Sequence, residues 1–175
     1  MPWTKTPRMS LPPTGQTTSY RDGDDGYFQV GWPGGTRFVD NGDGTTVHDR
    51  ATGLEWVKEP GAIGGDFGSA GSPSAMNWND AIDNCLGLTY AGRSDWRLPN
   101  VLELLTLVNF EDSSSPTVYP AFPTPGSYTY WSSTILSVLT DRGMVVEFDA
   151  TFQMTYALLT ATYYVRPVRG GRIGA

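Results

Sequence analysis

With 175 residues the chain has the length of one domain with a substantial core. Its 12 Lys and Arg against 18 Asp and Glu leave a net charge of −6, which excludes a general phosphate-backbone binder, because nucleic acid demands a basic stripe. The 21 Gly and 13 Pro, with 17% charged and 13% aromatic residues, describe a loop-rich globular protein, and no apolar run is long enough to span a bilayer.

Residues 1–35 carry Pro12-Pro13, Gly15, Gly23, Gly26 and Gly31 with little periodicity, and are read as an irregular N-terminal arm. Its aromatics Tyr20, Tyr27, Phe28 and Trp32 favour docking, on its own domain or on a neighbour in an assembly, over a free tail. Met1-Pro2-Trp3-Thr4-Lys5 lacks an apolar signal-peptide core, so the expectation is a removed signal or release by lysis or another route. Strands follow. Arg37–Asp40 and Thr45–Asp49 flank Asn41-Gly42-Asp43-Gly44, where Asn and Gly supply the positive φ of a tight hairpin. A third strand, Leu54–Val57, places Leu54 and Trp56 on one face, and residues 59–75 are expected to form an exposed loop.

Asn77 then caps a helix whose Trp78, Ala81, Ile82, Cys85 and Leu86 recur at helical spacing, with Asp80 near the positive end of the dipole and Gly87 past its end. In Asp95-Trp96-Arg97-Leu98-Pro99 the proline holds Leu98 extended. Asn100 and Glu103 have the spacing of a capping box for a second helix, from about Val101 to Val108. That helix is apolar nearly all round and is expected to be buried. After a Ser/Pro-rich loop at 112–127 come strands at Thr129–Ser133, Met144–Phe148, Phe152–Leu158 and Tyr163–Val168. Met144, Val146 and Phe148 alternate against Val145, Glu147 and Asp149, the pattern of a half-buried antiparallel strand. Helices followed by a run of strands make the class α+β: two helices packed on small twisted antiparallel sheets.

Chemistry is sparse. One His and one Cys supply no zinc cluster, and no nucleophile elbow, phosphate loop or dinucleotide fingerprint occurs. Ser132 and Ser133 lack a His partner, and the carboxylate pairs Asp40/Asp43 and Glu111/Asp112 show no setting that would shift a pKa, so no enzyme is expected. Asp40 and Asp43 are the candidate ligands for calcium, in a turn without EF-hand spacing; the plainer reading is that turns need Asp, Asn and Gly. Trp56, Trp78, Trp96 and Trp131 sit at patterned positions and are assigned to the core, with Arg97 and Glu103 as further structural residues. Tyr128, Phe152, Gln153, Tyr156 and Tyr163 lie in or beside the late loops and strands and are the candidate ligand contacts, since a ring offers an apolar face with a polar edge. Arg166, Arg169 and Arg172 gather near the C-terminus, where strand capping and solubility account for them.

Phe38-Val39-Asp40-Asn41-Gly42-Asp43-Gly44-Thr45, Thr52-Gly53-Leu54-Glu55-Trp56, Asp95-Trp96-Arg97-Leu98-Pro99, Tyr130-Trp131-Ser132-Ser133 and Val165-Arg166-Pro167-Val168-Arg169-Gly170 resemble, in this order, the domain of unknown function 1566 family, the Legionella collagen-like protein C-terminal domain family. The resemblance covers 36–171 and leaves 172–175 as a tail. It implies a C-type-lectin-like fold, in the branch shared with formylglycine-generating enzymes and with phage or retroelement-diversified receptor-binding proteins. It also implies bacterial surface or secreted proteins that bind ligands, often as trimers. Family members often carry a cysteine where this chain has Pro167, a partner for the helix cysteine; here Cys85 stands alone, and the cysteine pair that formylglycine-generating enzymes require is absent. The expectation is therefore a recognition or adhesion module, extracellular or on a cell surface or virion, that binds a glycan or protein receptor through loops at 59–75, 112–128 and 136–162. A homo-oligomer, trimer or filament, is expected. The alternative is a structural subunit or decoration protein of a surface filament or virus particle, assembled through residues 1–35.

Overall fold

The structure is a computed structural model that describes residues 11–31, 36–112, 119–123, 129–149 and 153–171. The chain is α+β, with short helices and small antiparallel sheets joined by long loops. Strands β1 (Phe38–Asp40), β2 (Thr46–Asp49), β3 (Leu54–Val57) and β9 (Val168–Gly170) form one sheet in that spatial order, with every pair antiparallel. Strands β6 (Thr129–Leu136), β7 (Leu139–Glu147) and β8 (Gln153–Leu158) form a second. Helices α1 (Asp25–Phe28), α2 (Trp78–Leu86) and α3 (Val101–Leu105) lie in the arm and between the sheets in sequence.

The β1–β2 turn forms as the composition dictates. Gly42 and Gly44 take φ of 77° and 72°. The Asp40 carboxylate accepts from the amide of Gly42, and that of Asp43 from the amides of Thr45 and Thr46. Residues 59–75 depart from expectation. They hold two 3-10 turns, Pro60–Ile63 and Gly65–Phe67, and a miniature hairpin of β4 (Gly68–Ser69) and β5 (Ser72–Pro73), with Pro60, Gly61 and Phe67 buried. Gly61 is required there, since a Cβ would lie 2.1 Å from the Ser69 carbonyl oxygen.

Two clusters of buried side chains make up the core. Trp56 and Leu104 anchor one; Ala81, Cys85, Trp96 and Trp131 anchor the other. The β6–β7–β8 sheet stands between them, with Tyr130 and Val146 in the first cluster and Trp131 and Val145 in the second. That corrects the half-buried reading of β7. Met144, Val145, Val146 and Phe148 are all buried, because this strand has a core on both of its faces. Tyr163 and Tyr164 form isolated bridges to Met76 and Tyr130, while β9 begins at Val168 in the other sheet.

Trp56, Trp96 and Trp131 are buried as expected, and Trp78 is half-buried. Three of the four indoles find carbonyl acceptors: Trp78 on Ser132 at 2.8 Å, Trp96 on Tyr90 at 3.1 Å and Trp131 on Met76 at 2.9 Å. The Trp56 N–H has none among the described residues, a defect of about 1–3 kcal/mol that its ring burial in the first cluster must outweigh. Helix α3 is shorter than its apolar pattern suggests. It ends at Leu105, and Leu102 is 71% exposed while Leu104 is buried. Leu107 and Val108 are buried in the turn that follows. In α2, Leu86 likewise faces solvent, and Ala81 and Cys85 carry the contact.

Candidate functional site

The segment 95–103 is a structural hub. Asn100 accepts from the Glu103 amide at 2.9 Å, and a Glu103 carboxylate oxygen accepts from the Asn100 amide at 2.8 Å, completing the capping box. The same carboxylate takes two hydrogen bonds of 2.7 Å from Arg97, whose pKa rises under this contact. Arg97 exchanges backbone hydrogen bonds with Val168, so the loop is tied to β9. Arg169 reaches Asp95 on one side and Glu55 on the other, and its guanidinium lowers the Asp95 pKa. These ions lock the first sheet to α3.

Other ionisable and nucleophilic groups are similarly committed. Asp40 pairs with Lys58, whose side-chain hydrogen bond lowers the Asp40 pKa, and the Thr45 amide lowers that of Asp43. Both candidate calcium ligands thus hold their own turn. No group of three His, Cys, Asp or Glu suited to a metal occurs among the described residues. Ser132 is buried and donates to the Met144 carbonyl, and burial pushes the Cys85 thiol up to about 12. His48 sits on β2, opposite Val39 and Glu55.

The candidate ligand contacts divide. Tyr128 and Phe152 lie outside the described residues. Tyr163 is half-buried, edge-on to Trp131 with ring centroids 5.0 Å apart, and exchanges backbone hydrogen bonds with Met76. Gln153 and Tyr156 lie on β8, the outer strand of the second sheet, and both are exposed. Their spacing places them on opposite faces of that strand. The face-mates of Tyr156 are Met154 and Leu158, and these three are 45–48% exposed. Arg142, on neighbouring β7, lies over the Tyr156 ring at 5.4 Å. The sequence reading missed Met154 and Leu158. Their alternation with Tyr156 was visible, but an apolar alternation signals a buried face by default.

A second surface forms where the arm meets the domain. Glu111 accepts from the amides of Thr17 at 2.8 Å and Thr18 at 3.1 Å, and from the Thr18 hydroxyl. The Thr18 hydroxyl, then the two amides, lower the Glu111 pKa to about 2. Phe110 donates its amide to the Thr14 carbonyl, and Tyr119 donates its hydroxyl to Pro13. Gly26 packs so closely on the Thr18 carbonyl that a Cβ would lie 2.1 Å from its oxygen.

Beneath this seam lies a cavity of about 450 Å³, walled by arm residues 13–17, Asp25, Gln29 and Val30 on one side and by Thr36–Phe38 and Tyr119–Ala121 on the other. Its floor contains Arg37, which is 6% exposed and donates to Asp49 from Nε at 2.9 Å and Nη2 at 2.7 Å. Asp49 also accepts from the Ala51 amide and the Thr52 hydroxyl. The sequence reading passed over this pair; Arg37 and Asp49 at the two ends of the hairpin were the available signal.

Residues 45–169, more than two thirds of the chain, match the family model of the Lcl C-terminal domain. No curated protein matches the chain.

Proposed function

Since the chain belongs to the Lcl C-terminal domain family, we propose that it is a non-enzymatic recognition or adhesion module that binds a glycan or protein receptor through β8 and the loops beside it. The family, the Legionella collagen-like protein C-terminal domain, is surface-associated or secreted, and no described helix is long and apolar enough to cross a membrane. The scaffold is read as lectin-like: a fixed core with specificity left to what emerges from it. Display on a cell surface, a fibre or a virion, as a trimer or filament, belongs to the same reading.

The observation that carries it is the strip Met154, Tyr156 and Leu158, exposed on a strand whose other side is paired to the buried β7. Apolar and aromatic side chains held in the open by a rigid sheet cost little ordering entropy on binding. The reading as a structural subunit linked by the arm draws less support, because Thr14, Thr17 and Thr18 are bonded to their own domain.

The test is binding of the full chain and of Tyr156→Ala to a glycan array and a panel of surface proteins, with and without calcium. A receptor bound by the parent and lost by the variant supports the reading. Blank panels, or equal binding by both chains, sink it. A calcium-dependent signal abolished by Asp43→Asn would assign the β1–β2 turn a metal role.

A further inference from the structure

The geometry points to the free edge of β8 as a contact between two copies of this chain, which pair antiparallel about a two-fold axis at Tyr156 and join their exposed strips into one surface. The pairing rests on backbone geometry and stands whether or not a receptor binds there. Where the β8 reading also holds, the partner copy supplies half of the receptor surface.

β8 ends its sheet and pairs with β7 alone, in a register without a bulge from Gln153 to Leu158. The Leu159 amide donates to the Asp141 carbonyl at 2.9 Å, continuing that register. Residues of an antiparallel pair alternate between bonded and unbonded, so Gln153, Thr155 and Ala157 turn their backbone groups towards β7 while Met154, Tyr156 and Leu158 turn theirs outwards. Of these outward groups the Leu158 carbonyl accepts from the Ala161 amide at 2.8 Å, and the others have no partner among the described residues. Proteins guard such an edge with Lys, Pro, a bulge or a covering loop. Gln153–Leu158 has no charged residue and no proline, and Met154, Tyr156 and Leu158 are 45–48% exposed.

A second copy fits this edge by symmetry and by charge. With the axis at Tyr156, the N–H and C=O of that residue bond those of its own copy, and each Leu158 donates to the other copy's Met154 carbonyl. Side chains then meet in rows, Tyr156 beside its copy and each Met154 beside the other copy's Leu158. On β7, Arg142, Met144 and Val146 lie opposite Leu158, Tyr156 and Met154 and share their face, whereas the acids Asp141 and Glu147 fall on the other one. Copies of net charge −6 repel one another in general, but on this face the two strands present a single cation, set over the Tyr156 ring, and no acid. Edge pairing consumes backbone groups and leaves the side chains open, so two strips become one continuous apolar and aromatic surface. The contact is closed: it makes pairs, which a filament can contain and a trimer by itself cannot supply. One short strand is a small interface, so association is weak, half complete at about 100 µM.

Sedimentation of the full chain from about 1 µM to about 1 mM is expected to show monomer passing to dimer across that concentration. Tyr156→Pro removes an outward donor and no bond to β7, and Tyr156→Lys sets a cation against its own copy. Each is expected to raise the half-association concentration at least about tenfold, and circular dichroism identifies the variants that keep the parent fold. Nitroxide labels on Tyr156→Cys and on Met154→Cys, with Cys85 buried away from the reagent, read the register separately. The distance between labels is expected to be shorter at 156 by about 10 Å, because 154 lies two residues from the axis in each copy. The proposal is overturned if the parent stays monomeric at about 1 mM, if it forms trimers without dimers, if a folded variant associates as the parent does, or if the label distance is not shorter at 156. Glycan or protein binding by a monomeric parent would uphold the receptor reading of β8 and sink this pairing.

Discussion

Asp49 and Glu111 each gather several donors onto one carboxylate, yet Asp49 is fully buried under the first hairpin while Glu111 lies at the half-exposed seam between arm and domain. Asp49 is bonded to a buried cation and to the turn that follows it, so its partners have nowhere else to go. Glu111 serves backbone amides and a hydroxyl that water can replace when the arm lifts. The number of hydrogen bonds is therefore a poor guide to what a residue is worth. Burial of the partners decides it.

Removing each carboxylate in turn breaks the comparison most directly. Asp49→Ala strands the Arg37 guanidinium in the interior and is expected to cost about 3–5 kcal/mol, read from denaturant midpoints at unchanged m-value. Glu103→Ala, an intermediate case in which cap and ion pair go together, is expected to cost about 1–2 kcal/mol. A cost for Asp49→Ala no larger than that for Glu103→Ala would contradict the weight given to burial.

Glu111→Ala is expected to leave the core transition in place while limited proteolysis between residues 11 and 31 accelerates, because only the arm loses its clasp. Acid sharpens the same point. The pKa of Glu111 is depressed from 4.5 to about 2, so its contribution to arm docking is complete above pH 4.5 and disappears as pH falls through about 2. Arm mobility followed by NMR should rise across that window in the parent and stay flat in Glu111→Gln. The smallest effect is at β8. Tyr156→Ala should shift stability by no more than about 0.5 kcal/mol, since the ring is exposed, and its consequence should be confined to receptor binding.

Local patterns were read well. The Asn100–Glu103 capping box, the Asn77 cap and the glycine turn at 42–44 are all present, each made by groups within a few residues of one another. The failures are equally specific. Leu102 and Leu86 belong to apolar helical patterns but face solvent, because the helices present to the core a narrower stripe than their composition allows. Val145 was placed on a solvated face because alternation by itself does not reveal a second core behind the sheet. Of the candidate site, Gln153 and Tyr156 were found on exposed β8, whereas Met154 and Leu158 were missed and Tyr163 is engaged with Trp131 and Met76.

The amino-acid order alone determined the turns, the helix caps, the aromatic core and the family, since these depend on short spacings and residue type. Only the tertiary structure decided that β9 closes the sheet against β3, that Glu111 captures an arm 93 residues away and that β6 and β7 carry a core on each face. Such choices set distant segments against one another, and the free energy that selects among them comes from surfaces that exist only once the chain has folded.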